Sequence, residues 1–142
     1  MMTKSVLLPL PPEAAFALFT EKISLWWPEN RRHSKDAQSK LHLLASGRFY
    51  EVALDGKEID LGKVTVWDPR HRIVLDFYVA TGPEAPTEAT VTFTPEDGGT
   101  RVTVMHGPKP ESEHLWTDRA PRFVQSWQEV LDALLRASPS VL

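Results

Sequence analysis

One stretch near the end of the chain limits what it can fold into. On a helical wheel Ala120, Phe123, Val124, Trp127, Val130, Leu131, Leu134 and Leu135 fall within an arc of roughly 140°. Arg122, Gln125, Glu129, Asp132 and Arg136 take the opposite arc. The spacing predicts a helix from Asp118 to Ala137, about five turns long. Asp118 is the expected N-cap, with Pro121 in the first turn, where a missing N–H costs little. Asp132 and Arg136 are spaced for an i,i+4 ion pair, and Ser138-Pro139 stops the helix. So wide an apolar stripe must lie on another apolar surface. The preceding residues read mostly as strands, so that surface is expected to be a sheet.

The strands are marked by alternation and by turn residues. Ser5 to Leu10 reads as a first strand, and Pro11-Pro12-Glu13 opens a helix carrying Ala15, Phe16, Phe19 and Ile23 on one face. Ile23, Trp26 and Trp27 suit a second short turn, closed by Pro28; Glu29 to Ser39 is polar and reads as a loop. Further strands are expected at Leu41 to Ala45, Gly47 to Leu54 and Lys57 to Trp67, with Asp55-Gly56 as a hairpin turn and Gly62 as a bulge. His71 to Ala80 places Ile73, Leu75, Phe77 and Val79 on one face. Ala89, Val91 and Phe93 alternate with Thr90, Thr92 and Thr94, and after Asp97-Gly98-Gly99 the residues Val102, Val104 and His106 alternate with Thr103 and Met105. The expected class is α+β: a curved antiparallel sheet of about six to seven strands around a long C-terminal helix, with a short helical pair after the first strand.

Composition removes several functions. The 142 residues suit one domain over 1–142 with a sizeable core. A net charge of −3 offers no footprint for nucleic acid or an anionic membrane, and Arg31-Arg32-His33-Ser34-Lys35 reads as a solvated basic loop. With no cysteine there is no disulfide, thiol nucleophile or cysteine-ligated zinc, which fits a cytoplasmic protein. Prolines at 9, 11 and 12 cut the first apolar run too short for a signal-peptide core, and no stretch reaches the length of a membrane span.

The order of motifs resembles the START-like, or helix-grip (SRPBCC, Bet v 1-like), superfamily. Within it the chain resembles the family named after the C-terminal domain of the activator of Hsp90 ATPase. The matching residues are Pro12-x-x-Ala15-Phe16-x-x-Phe19, Trp26-Trp27-Pro28 with His33, Gly47-Arg48-Phe49-Tyr50-Glu51 and Asp55-Gly56-x-Glu58. They continue with Gly62-x-Val64-x-x-Trp67-x-Pro69-x-x-Arg72-Ile73-Val74 and Val104-x-His106-Gly107. The resemblance spans nearly the whole chain and implies a sheet gripping the last helix around an apolar cavity. It implies no single activity, since related groups include lipid-transfer domains, polyketide cyclases and hormone receptors.

Few residues suggest a reaction. The histidines at 33, 42, 71, 106 and 114 lack zinc-helix spacing, and the sequence has no nucleophile elbow or phosphate-binding glycine loop. No metal and no cofactor are expected. His106 shares a face with Val102 and Val104 and should point towards the helix or the cavity mouth, as a polar handle for a ligand, an acid–base group, or a histidine bonded to backbone near a strand end. The last is preferred, because no second catalytic group is fixed by the sequence. Glu51 shares a face with Phe49 and Ala53, while Tyr50 and Val52 make the other face equally apolar. If inward, Glu51 is expected to have a raised pKa. Asp55, Glu58 and Asp60 read as exposed acids of a hairpin.

The expected function is to bind a hydrophobic small molecule in a cavity lined by Trp26, Trp67, Phe77, His106, Trp116, Phe123 and Trp127. The alternatives are a cyclase- or hydrolase-like enzyme using the same cavity, with His106 and Glu51 as acid–base groups, and a partner of an Hsp90-type chaperone. The chaperone reading ranks last, because the resemblance covers only one domain of the name-giving protein. A homodimer stays open.

Overall fold

The computed structural model describes residues 1–138. The chain runs β1 (Met2–Leu8), α1 (Pro12–Thr20), α2 (Ile23–Trp26), β2 (Lys40–Leu43), β3 (Arg48–Val52), β4 (Glu58–Asp68), β5 (Arg72–Phe77), β6 (Thr87–Glu96), β7 (Gly99–Pro108) and α3 (Glu113–Ala137). Short 3₁₀ turns precede the loop into β2 and the start of α3. All seven strands form one antiparallel sheet in the order β1-β7-β6-β5-β4-β3-β2. The sheet curls around α3, as the alternation and the helix stripe require.

Register puts the apolar residues on one face. Ile73, Val91 and Val104 lie opposite one another across β5, β6 and β7, as do Leu75, Ala89 and His106 one step further along. Phe123, Trp127, Val130, Leu131 and Leu134 of α3 are buried against this face. Among the described residues the Asp97-Gly98 turn joins paired Glu96 and Gly99 with φ of +49° and +77°. Two left-handed residues in a two-residue loop match the natural twist of the strands. At Gly62 the reason for glycine is contact: a Cβ there would come within 2.5 Å of the Asp76 carbonyl oxygen. The expected bulge sits beside it, where Phe49 pairs with Gly62 and Tyr50 with Asp60, leaving Leu61 as the extra residue.

Several expectations need correction. The helix begins five residues before Asp118, so Ser112 is the N-cap and Pro121 lies inside the helix. Pro121 offers no N–H to the Thr117 carbonyl one turn back. Thr117 is exposed, so water can satisfy that oxygen. Leu135, at the margin of the stripe, is 38% exposed. Asp132 accepts a bond from Gln128 at 3.1 Å rather than pairing with Arg136. β5 ends at Phe77, and Val79 lies beyond it, 41% exposed. β1 starts at Met2 and ends at Leu8, so Leu10 is buried outside the strand. Pro139, half of the expected stop signal, lies outside the described residues.

Candidate functional site

The buried polar groups form two separate assemblies. The first centres on His106 in β7, which is fully buried. Its neighbour across the ladder is Ala89, whose small side chain leaves room for the imidazole. Thr87, two residues back along β6, reaches Nε2 with its hydroxyl at 2.7 Å. From the helix side Trp127 Nε1–H donates to Nδ1 at 2.9 Å. Because indole can only donate, Nδ1 must be the unprotonated nitrogen and Nε2 carries the hydrogen. Thr87 accepts that hydrogen, and its own hydroxyl faces the Phe77 carbonyl oxygen at 3.5 Å. Burial, with the Met1 ammonium adding to it, lowers the His106 pKa to about 3. The ring is therefore neutral at physiological pH with both nitrogens engaged.

Rings surround it. Phe123 lies 4.3 Å from the imidazole, Phe77 meets it edge-on at 5.2 Å, and Trp116 is 5.5 Å away. Trp116 stacks on Phe123 at 5.6 Å, and Trp127 packs against Phe77 at 5.8 Å. Helical spacing explains the grouping, since Trp116, Phe123 and Trp127 lie on one stripe of α3. Trp116, in the first turns, is only half-buried. The sequence expectation thus divides into three. Phe77, His106, Trp116, Phe123 and Trp127 form one connected network of ring contacts. Trp26 connects to them through Trp27, which touches both Trp26 and Trp127. Trp67 packs on Phe16, which in turn meets Phe93, in a different part of the core.

The second assembly holds the loop after α2. Arg32, 4% exposed, donates to the carbonyl oxygens of Trp27, Ser24 and Ser39 at 2.6–3.1 Å. It is the one member of the supposedly solvated basic cluster that is buried. Glu51 faces inward and is fully buried. Its carboxylate accepts the His33 amide at 2.7 Å and the Ser34 amide at 3.0 Å. Desolvation alone would raise its pKa, as expected from the sequence. The Ser34 hydroxyl beside it, the two amides and Ser39 outweigh that and leave it below the usual value. A carboxylate among donors stays ionised. The same loop is tied to α3, where Glu129 Oε1 accepts from Asn30 at 3.0 Å and Oε2 accepts from both Nε and Nη2 of Arg31. Sequence reading missed Arg32 and Glu129; a glutamate at a buried register position was the available hint that a cation and donors lay nearby.

Asp55, Glu58 and Asp60 are exposed, and the last two pair with Arg48. Among the described residues no group of three or more His, Asp or Glu side chains could hold a metal ion. No helix among them is long and apolar enough to cross a membrane.

Comparisons place this geometry among known proteins. A search of curated proteins gives no match. Solved structures with the same fold include CalC from Micromonospora echinospora, described as a self-sacrificing resistance protein. It is 24% identical with a TM-score of 0.71, over 98% of this chain and 94% of that one. DynU16, a protein of the dynemicin biosynthetic locus, is 16% identical with a TM-score of 0.68, over 96% of this chain and 46% of that one. Protein Ms6760 from Mycobacterium smegmatis is 16% identical with a TM-score of 0.63, over 99% and 91%. These likenesses carry the fold and no more. The sequence model described as "Activator of Hsp90 ATPase homolog 1-like protein" matches residues 9–137. The chain therefore belongs to the Activator of Hsp90 ATPase homolog 1-like family, within the START-like helix-grip superfamily.

Proposed function

We propose that the chain binds a small hydrophobic molecule at the aromatic end of the sheet–helix interface, against Phe77, His106, Phe123 and Trp127, with Trp116 as the ring it displaces. One observation carries this reading: five rings from three elements converge there, and the outermost, Trp116, is half-buried and held mainly by stacking. The rings touch one another. A ligand would take the place of Trp116, exchanging one aromatic contact with Phe123 for another. Burying about 200 Å² of apolar ligand surface is worth roughly 5 kcal/mol before association entropy, so micromolar affinity is a realistic ceiling. Trp26 and Trp67 are left outside this narrower site. The family is consistent with such a role, and structural neighbours come from antibiotic resistance and biosynthesis.

His106 would serve as the polar mark of the site rather than as its acid or base. A ring with its pKa lowered to about 3 supplies no proton near neutrality, and its accepting nitrogen is already occupied by Trp127. The test is mass spectrometry of molecules that copurify, followed by titration of apolar aromatic compounds into the parent and Trp116→Ala. Saturable binding that tightens several-fold in Trp116→Ala supports the reading. Absence of saturable binding in both proteins sinks it.

A further inference from the structure

A cleft of about 520 Å³ opens on the other side of α3, between its last turns and the first two helices. That volume falls within the ~300–1000 Å³ range typical of small-molecule sites. Leu18, Leu25, Trp26, Ala133 and Ala137 line it together with Lys22 and Arg136; Leu18, Trp26 and Ala133 form its buried floor and Leu25 its open apolar side. Leu25 is 78% exposed. An isolated exposed leucine is ordinary, but this one borders a concave surface shared with a tryptophan.

The charges settle what the cleft favours. Among the described residues neither Lys22 nor Arg136 has an ion-pair partner. Asp132, one turn before Arg136 and spaced to pair with it, instead accepts a bond from Gln128. Among the described residues no carboxylate lines the cleft. The C-terminal ends of α1 and α3 point partial negative charge towards this region, about half a charge each. Lys22 and Arg136 are the charged residues of the lining itself, so a head group placed between them is favoured when anionic. The apolar wall favours a hydrocarbon body. We propose that this cleft is a second binding site, for a small amphiphilic carboxylate whose head lies between Lys22 and Arg136 and whose body lies along Leu18, Leu25, Trp26 and Ala133.

The site is separate from the His106 cluster, so the two can be read independently. The full chain is titrated with decanoate below its micelle threshold while side-chain methyl and indole resonances are followed by NMR. Saturable shifts are expected at Leu18, Leu25, Ala133 and the Trp26 indole, with Trp127 unmoved. Decyltrimethylammonium should bind at least tenfold more weakly, and the double variant Lys22→Glu/Arg136→Glu should invert that preference. Both side chains are exposed, but if the double variant unfolds, the single variants Lys22→Gln and Arg136→Gln should each weaken decanoate about threefold or more. Equal affinity of parent and charge variants overturns the proposal. So do shifts confined to Phe77 and Trp127, or binding to phosphatidylglycerol vesicles with no saturable decanoate response.

Discussion

The His106 cluster and the Arg32–Glu51 loop clamp both bury a titratable group completely, and they solve the problem in opposite ways. At His106 the partners are one donor, the Trp127 indole, and one hydroxyl that can accept, from Thr87. That set fits neutral imidazole, and a second ring proton would point at the indole N–H. At Glu51 the strong partners are all donors: two amides, with the Arg32 guanidinium adding positive charge nearby. That set fits a carboxylate, because the two amides can only donate. Both side chains are closed to solvent. At His106 desolvation lowers the pKa and withholds the charge, whereas at Glu51 the neighbouring donors outweigh desolvation and keep it.

The largest test of this contrast is Trp127→Ala. It removes a buried aromatic and leaves Nδ1 of His106 without a donor, so unfolding in denaturant should show a loss of about 5 kcal/mol. Trp127→Phe should recover most of the packing but not the bond. A loss under 1 kcal/mol for Trp127→Ala would mean that α3 docks otherwise.

Glu51→Leu comes next, with an expected loss of about 3–4 kcal/mol, because two part-buried amides lose their acceptor and Arg32 loses an opposing charge. Glu51→Gln keeps one acceptor and should cost about half as much. If the two variants proved equally stable, the amide bonds would not be what holds the loop.

The smallest effect is a slope. His106 has a folded pKa of about 3 against an ordinary value of 6.5. Between those values the unfolded chain binds a proton that the native chain refuses, so stability falls as pH falls. Its contribution is complete above about pH 6.5 and lost progressively towards pH 3. Glu51, also depressed, acts in the same direction but only below the ordinary carboxylate value of 4.5. The window from pH 6.5 to 4.5 therefore isolates His106, where it should account for about 2–3 kcal/mol. Stability measured by denaturant at several pH values should be flatter for His106→Gln than for the parent in that window. An unchanged slope would show that some other group refuses the proton.

Much of the fold could be read from residues alone because local chemistry and tertiary burial agree. The stripe of α3, the Asp97-Gly98 turn and the alternation in β6 and β7 each point to the same sheet and helix. Pro121 misled because proline favours first turns; only the exposure of Thr117 shows why a helix can run through it. His106 was legible as inward from its register with Val102 and Val104. Its partners were not, because Thr87 and Trp127 approach from a neighbouring strand and a distant helix. Glu51 was undecidable because Phe49 and Tyr50 make both faces of β3 plausible, and the bulge at Leu61 lies on the partner strand. Arg32 was hidden among four polar neighbours with the same composition as a solvated loop.

The pairing of β1 with β7 has a consequence for the life of the chain before it is folded. Met2 pairs with His106 and Leu8 with Thr100, so the first strand finds its neighbour about a hundred residues later. Such a closure is entropically slow and comes late in any folding route. During synthesis β1 waits without its ladder until β7 has left the ribosome, and α3 follows only afterwards. The His106 cluster, which needs β5, β6, β7 and α3 together, must be among the last parts of the molecule to form.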